Sequence, residues 1–408
     1  MKSKGKWLTT TVLGIGLASL CSDIGHEMAT TAMPVLLVSL GATSATLGLI
    51  EGLADGLSCF AKLLSGLYSD RLAKRKPLAV AGYFLTAAGM ASFALATQWW
   101  YVLLGRIGGW LGRGARTPVR NVLLTEATTP KTYGRAFGLE RAMDSTGAII
   151  GPLLSLILAA TLGLRWLFAL TLLPGVAAAL LIAWMVREKP HTAQPHVRLW
   201  RGVRKLPAHF KQYLVGVGIA GLGDFSNTLL ILWATQAWTP RFGVIRAAQL
   251  AMLFYVGYNV IHTASCYVSG ALADHFPKRF VLAIGYALAV IPAAALALAG
   301  HSVFLFGLAF GFSGLYMGVW ETLESSTSAQ VLPDESRGIG FGVLATVNGV
   351  GDFVSSAVIG SLWVISPFWA MLPVAIFSLT GAGIIAVTRP VVAVRHISET
   401  TGMAAKSP

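Results

Sequence analysis

Residues 66–76 read GLYSDRLAKRK, and residues 270–280 read GALADHFPKRF. Gly66 is matched by Gly270, Asp70 by Asp274 and Arg75 by Arg279, always at an offset of 204, half of the 408-residue chain. The same offset pairs Gly138 with Gly342, Gly147 with Gly351, Asp55 with Asn259 and Asp144 with Asn348. A polar turn repeated half a chain apart, each copy between long apolar runs, implies a duplicated helical bundle. Two parallel repeats of that kind enclose a central site near the membrane midplane.

The rest of the chain agrees with that reading. It is 55% hydrophobic and only 12% charged, against about 25% charged in an ordinary soluble domain. Twelve apolar runs are candidate spans: 11–38, 46–67, 78–97, 100–124, 135–160, 165–186, 212–238, 247–273, 280–299, 303–331, 338–362 and 368–388. A run of 18 or more apolar residues is long enough to cross about 30 Å of hydrocarbon. Barrel strands alternate over about ten residues, so these are helices. The fold expected is an all-α polytopic membrane protein of twelve transmembrane helices in two pseudo-symmetric six-helix bundles. The bundles occupy residues 1–186 and 212–408, joined by the basic linker 187–211.

The net charge of +14 needs no nucleic-acid partner. Arg165, at the very start of its span, Arg241 and Arg246 lie on one side of the expected topology, and every other Lys and Arg outside the spans lies on the opposite side. That is the positive-inside bias. It places both termini and the linker in the cytoplasm and the protein in the cell inner membrane. The N-terminal MKSKGKW precedes a long run carrying Asp23, His26 and Glu27, not the short apolar core and small-residue site of a signal peptide. Cys21, Cys59 and Cys266 fall inside spans and are expected as small packing residues.

The turn quoted above resembles the signature loop between spans two and three of major facilitator superfamily transporters, and 270–280 resembles its weaker second copy. In span five Gly138, Gly147, Gly151 and Pro152 resemble the motif of the proton-coupled exporters of that superfamily. Ser155 and Leu156 stand where a Gly pair usually follows. RIGGWLGRGA, from Arg106, resembles the superfamily's arginine-and-glycine motif of span four. The resemblance covers the whole chain. It implies alternating access around a cavity lined by spans one, four, seven and ten, with small-molecule substrate, protons and the lipid bilayer as partners, and a monomeric state.

In the loop, Gly66 lets another helix come close, and Asp70 suits the positive end of a neighbouring helix. Arg71 and Arg75 hold the loop in the cytoplasm and can pair with acids there. With Asp274 and Arg279 of the second copy, these residues are candidates for a latch made in one conformation only.

A charge at the centre of a span costs roughly 2.5–3.5 kcal/mol on insertion scales, so each needs a partner or a task. Asp23, His26 and Glu27 lie one turn apart on a single face of span one. They are open to three readings: a proton carrier, a divalent-cation site, or salt-bridge partners of span four. Asp23 and Glu27 lead the proton-coupling candidates, followed by Asp55, Asp144 and Asp224. Arg106, Arg113 and Arg120 recur every seven residues and so share a helix face, drifting about 20° per step. Arg113 and Arg116 either receive an anionic group of the substrate or neutralise Asp23, Glu27 and Asp55. Arg106, His26, Trp233 and Trp320 complete the candidate cavity lining.

The offset of 204 aligns Arg120 with Glu324 and Thr117 with Glu321. Arg116 or Arg120 is therefore expected to pair with Glu321 or Glu324 when the cytoplasmic side closes. No Walker loop, HExxH or GxSxG occurs, and neither enzymatic activity nor a cofactor or resident metal is expected. The leading expectation is proton-coupled efflux of a small organic solute. Proton-coupled uptake of an anionic metabolite, a lipid flippase and a transporter-like sensor are the alternatives.

Overall fold

The structure is a computed structural model that describes residues 7–189, 191, 193–194, 198–224 and 227–388. The expected positions of the two chain ends fall on 1–6 and 389–408 and lie outside the described residues. Every regular element among the described residues is a helix. In the first half run α1 (Thr10–Ser39), α2 (Ser44–Arg71), α3 (Lys76–Ala91), α4 (Trp99–Glu126), α5 (Tyr133–Leu162), α6 (Leu164–Leu170) and α7 (Leu172–Met185). Then follow α8 (Leu199–Lys205), α9 (Ala208–Gly221), α10 (Asn227–Phe242), α11 (Val244–Ala273), α12 (Lys278–Leu288), α13 (Val290–Ala297), α14 (Val303–Val331), α15 (Arg337–Ile365) and α16 (Pro367–Val387).

Every expected span is occupied by helix. Four are interrupted: the third is α3 followed by a 3-10 helix over Ser92–Leu95, the sixth is α6 with α7, the seventh α9 with α10, and the ninth α12 with α13. The seventh was expected as one run over 212–238. It stops at Gly221, and Leu222, Gly223 and Asp224 are not α-helical, in keeping with the poor helix propensity of Gly and Asp. The linker holds a short helix, α8, which sequence reading did not anticipate. By length and apolarity alone, 8 of the helical spans qualify to cross a membrane. The others are α1, α2 and α4, which carry buried or half-buried charges, and the interrupted seventh. Hydroxyls of Thr9, Thr43, Ser302 and Ser366 cap the starts of α1, α2, α14 and α16, accepting N–H groups that have no intrahelical partner.

Small residues decide which helices touch. A Cβ on Gly105 would meet the Gly89 carbonyl at 2.8 Å, and one on Gly112 the Thr86 amide at 2.6 Å, so α3 and α4 pack backbone to backbone. This is the small-residue packing of helices in lipid, where apolar side chains gain little by leaving the hydrocarbon. Large apolar side chains such as Trp184, Phe353 and Leu298 are correspondingly exposed on the outside.

The two halves of the chain meet through α2 against α15 and α5 against α11. The contact is at the end that carries the basic loops. A Cβ on Gly66 would strike the Gly338 carbonyl, and one on Gly134 the Gly270 carbonyl. Further along the same helices, Gly52, Gly56, Gly257 and Gly360 have nothing within 4 Å of such a Cβ. The halves therefore lean together at the basic end and apart at the other.

Candidate functional site

At the basic end, Asp70 accepts the amides of Gly338 at 2.9 Å and Ile339 at 2.8 Å, in the first turn of α15. Asp274 accepts those of Gly134 at 2.8 Å and Arg135 at 3.1 Å, in the first turn of α5. Each aspartate thus serves donors that no intrahelical carbonyl can take, at the positive end of a helix from the opposite half. The four partners are themselves related by the offset of 204: Gly134 becomes Gly338 and Arg135 becomes Ile339. Asp70 lies past the apolar span and is buried. Burial pushes its carboxyl up to about 6, against the downward pull of the two amides and of Arg75.

The basic residues of the two loops are not equivalent. Arg75 is buried, lies 3.7 Å from Asp70, pairs with Glu126 and donates to the Ser69 carbonyl at 2.9 Å. Arg279 does not touch Asp274. It donates to the Thr388 carbonyl at 2.9 Å and lies over Phe280, while Arg135 and Lys278 stand 3.3 and 3.5 Å from Asp274. Lys278 is one turn from Asp274 along the chain, which puts its ammonium beside the carboxylate before Arg279 can reach it. Arg71 lies over the Tyr68 ring.

Between α1, α4 and α5 runs a continuous ionic chain. Arg113 bridges Asp23 at 3.1 Å and Asp144 at 3.9 Å. Arg120 stands 3.7 Å from Asp144 and 2.6 Å from Glu140, and donates to Ser19, which donates onward to Glu140. Arg106 pairs with Glu51 at 2.9 Å and donates to Thr30. Arg116 is buried with its guanidinium 4.1 Å above the Tyr83 ring. The arginine ladder is therefore largely satisfied from within the first half. Arg106 and Arg116, expected in the cavity lining, are buried. Arg113 keeps 23% of its side chain exposed and Glu27 keeps 28%. His26 is buried edge-on to Trp110 and 4.0 Å from Glu27. Asp55 is exposed on α2, and Asp224 is half-buried at the break after α9.

The gate pairs expected from the repeat are not made in this conformation, which is closed at the basic end. Arg120 is held by Glu140, an acid that the sequence reading did not single out. Glu324 is held by Tyr286 and, at 2.5 Å, by Asn348. Glu321 stands 3.3 Å from His262. Intra-half partners are closer than the opposing helix, so equal depth along the repeat did not translate into contact. Arg141 does cross, donating to Ser325 at 3.3 Å. Trp233 packs into an aromatic cluster with Phe306 and Trp363, not into a cavity wall. Trp320 is half-buried beside Tyr316.

The glycines of span five have a specific place. A Cβ on Gly147 would stand 2.8 Å from the Asp23 Cβ, and one on Gly151 2.7 Å from the Glu27 Cβ. They bring α5 onto α1 at the two acids. Gly138 does the same against the Cys266 carbonyl of α11. Pro152 lies inside α5. Ser155, where a glycine was expected, donates to the Met28 carbonyl at 3.1 Å.

Glu140, Glu126, His262 and Gly338 are among the residues of these networks that escaped sequence reading. Glu140 had a usable signal, since Glu140 and Asp144 lie one turn apart and so face one partner helix. Gly338 had one too, as the repeat of Gly134.

A family model described as Major Facilitator Superfamily matches residues 15–356. An uncharacterized MFS-type transporter of Methanocaldococcus jannaschii is 29% identical over 370 residues, covering 88% of this chain and 90% of the relative. Multidrug resistance protein MdtH of Photorhabdus laumondii is 38% identical over 109 residues, 26% of this chain and 27% of that protein. Among solved structures, the MFS transporter FucP in its outward conformation superposes with a TM-score of 0.75 at 18% identity, covering 93% of this chain and 98% of that one.

Proposed function

Because this chain belongs to the Major Facilitator Superfamily and is a secondary transporter working by alternating access, we propose that it is a proton-coupled exporter of a small organic solute. Its two six-helix halves rock about a central cavity in the cell inner membrane. The observation that carries the reading is the pair of partly exposed groups at the ionic chain, the Arg113 guanidinium and the Glu27 carboxylate. They offer one group of each sign, which suits a zwitterionic solute. Asp23 and Glu27 are the proton carriers. A solute that pairs with the carboxylate competes with the proton for it, and competition for one site is what an antiporter needs. The short MdtH similarity and the span-five motif favour the same direction.

Asp70 and Asp274 act in this scheme as twin latches. Their bonds to α15 and α5 exist only while the basic end is closed, so they stabilise one of the two states.

A second reading follows from Arg113 itself. Protonating Asp23 removes the carboxylate 3.1 Å from that guanidinium and frees it for an anionic group. Proton and anion would then bind together, which is symport. Vesicles holding the purified protein and a trapped pH dye decide between the readings, with pooled metabolites and antimicrobials as candidate solutes. Export coupling moves protons opposite to the solute and is lost in Asp23→Asn or Glu27→Gln. Proton movement with the solute makes the second reading correct. Solute flux without proton movement returns the span-one acids to a structural role.

A further inference from the structure

We propose that His262, Cys266 and Glu321 form a binding site for one thiophilic divalent cation of the zinc class. A ring nitrogen of His262, the Sγ of Cys266 and a carboxylate oxygen of Glu321 all lie within 4.8 Å of one another. Four-coordinate zinc takes N, S and O donors at about 2.0–2.3 Å. Donors at those distances around a tetrahedral ion stand about 3.3–3.8 Å apart. The His262 Nε2 to Glu321 Oε2 separation is 3.3 Å, one such edge.

The local architecture explains why the three meet. His262 and Cys266 are one turn apart on α11 and so face the same neighbour. That neighbour is α14, drawn in by two glycines. A Cβ on Gly314 would stand 2.6 Å from the Tyr258 carbonyl, and one on Gly318 2.7 Å from the His262 carbonyl and 2.8 Å from the Cys266 amide. Glu321 follows Gly318 by three residues, so the same close approach brings its carboxylate to the pair.

Three further observations point to a ligand rather than to packing. First, His262 is 8% exposed and its Nε2 faces the Glu321 carboxylate at 3.3 Å, so two of the three donors already point at each other inside the bundle. Second, its Nδ1 lies 3.4 Å from the Ser145 hydroxyl of α5, the kind of outer partner that orients a metal-binding imidazole. Third, the repeat does not demand these residues. At the positions 204 earlier stand Ser58, Lys62 and Thr117, so only the second half carries the donor set. That half also holds Asp224, Glu321, Glu324 and Asp352 in its expected spans with no Lys or Arg among them. A bound cation would supply the missing positive charge. Cys266 is fully buried, whereas 31% of the Glu321 side chain is exposed, so an ion would enter past the carboxylate and keep one position for water.

The test uses the full-length protein in detergent, stripped with a chelator and titrated with Co²⁺ and then Zn²⁺. The expected result is one Co²⁺ per chain with a thiolate-to-cobalt absorption band, displaced by Zn²⁺, and a Tm raised by Zn²⁺. Cys266→Ser should lose the band and weaken Zn²⁺ binding at least tenfold, and Glu321→Gln should weaken it likewise. Cys266→His replaces the sulfur donor with nitrogen, and should lose the band yet retain binding. Each variant's Tm without metal reports whether it has folded. A wild-type titration with no stoichiometric binding overturns the proposal. So does a cobalt band that persists in Cys266→Ser, which would assign it to Cys21 or Cys59.

Discussion

Replacing Asp70 by Ala tests the latch most directly. The substitution leaves the Gly338 and Ile339 amides, now bonded at 2.9 and 2.8 Å, without an acceptor at a buried contact. A buried donor stripped of its partner costs ~1–3 kcal/mol. The helix-terminus interaction of the carboxylate adds ~0.3–1 kcal/mol. Partial hydration lowers the sum, and we take ~3 kcal/mol as the net loss for the state closed at the basic end, a population shift of about 150-fold at 1.4 kcal/mol per factor of ten. Nothing equivalent is lost when the basic end is open, because the contact is then absent. Double electron–electron resonance between labels on the basic ends of α2 and α15 reads the two populations as two distances. The expected result is transfer of most of the short-distance population to the long one. Asp274→Ala should do the same between α5 and α11. Asp70→Asn keeps one acceptor and should fall between wild type and Ala. Neither substitution changes the Lys and Arg count that sets topology. If Asp70→Ala folds normally and its distance distribution matches the wild type, the carboxylate does not hold the halves together and the latch reasoning fails.

Further outcomes follow from the same geometry. Gly338→Ala would place a Cβ against the Gly66 carbonyl and 2.6 Å from an Asp70 carboxylate oxygen, so it should open the basic end without removing any charge, by the same distance measurement. Glu140→Gln takes the nearest counter-charge from buried Arg120. With Asp144 remaining at 3.7 Å, the loss should sit at the lower end of the ~3–5 kcal/mol typical of a broken buried pair, seen as a fall in Tm. Asp70 titrates at about 6 in the closed state and near its ordinary 3.8 once released. The closed state then binds the extra proton, so this stabilisation is full below pH 3.8 and is lost as pH rises through 6. Lowering the pH from 7 to 5 should favour closure about tenfold, and Asp70→Ala should abolish that part of the response.

Composition, the twelve apolar runs and the offset of 204 were sufficient for the class of fold, because a chain this poor in charge can satisfy its backbone in lipid only as helices. Gly66, Asp70 and Asp274 were legible for a related reason: a repeated Gly and Asp in a tight turn have no use in topology alone. The breaks in the third, sixth, seventh and ninth spans were not legible, since hydropathy averages over a turn of helix and does not register where one bends.

Partner choice among the membrane charges belonged to the tertiary structure. Arg120 aligned with Glu324 along the repeat, but Glu140 of the same half reaches its guanidinium at 2.6 Å, and Tyr286 and Asn348 hold Glu324. Arg116 found an aromatic face in place of an acid, and Arg279 a backbone carbonyl where Arg75 has carboxylates. Likewise no spacing along the chain could join His262 and Cys266 to Glu321. Two glycines on α14 did that, by letting two backbones approach closely enough for side chains more than fifty residues apart to share one point in space. The sequence carried the chemistry of each charge, while the distances that select its partner exist only in the folded bundle.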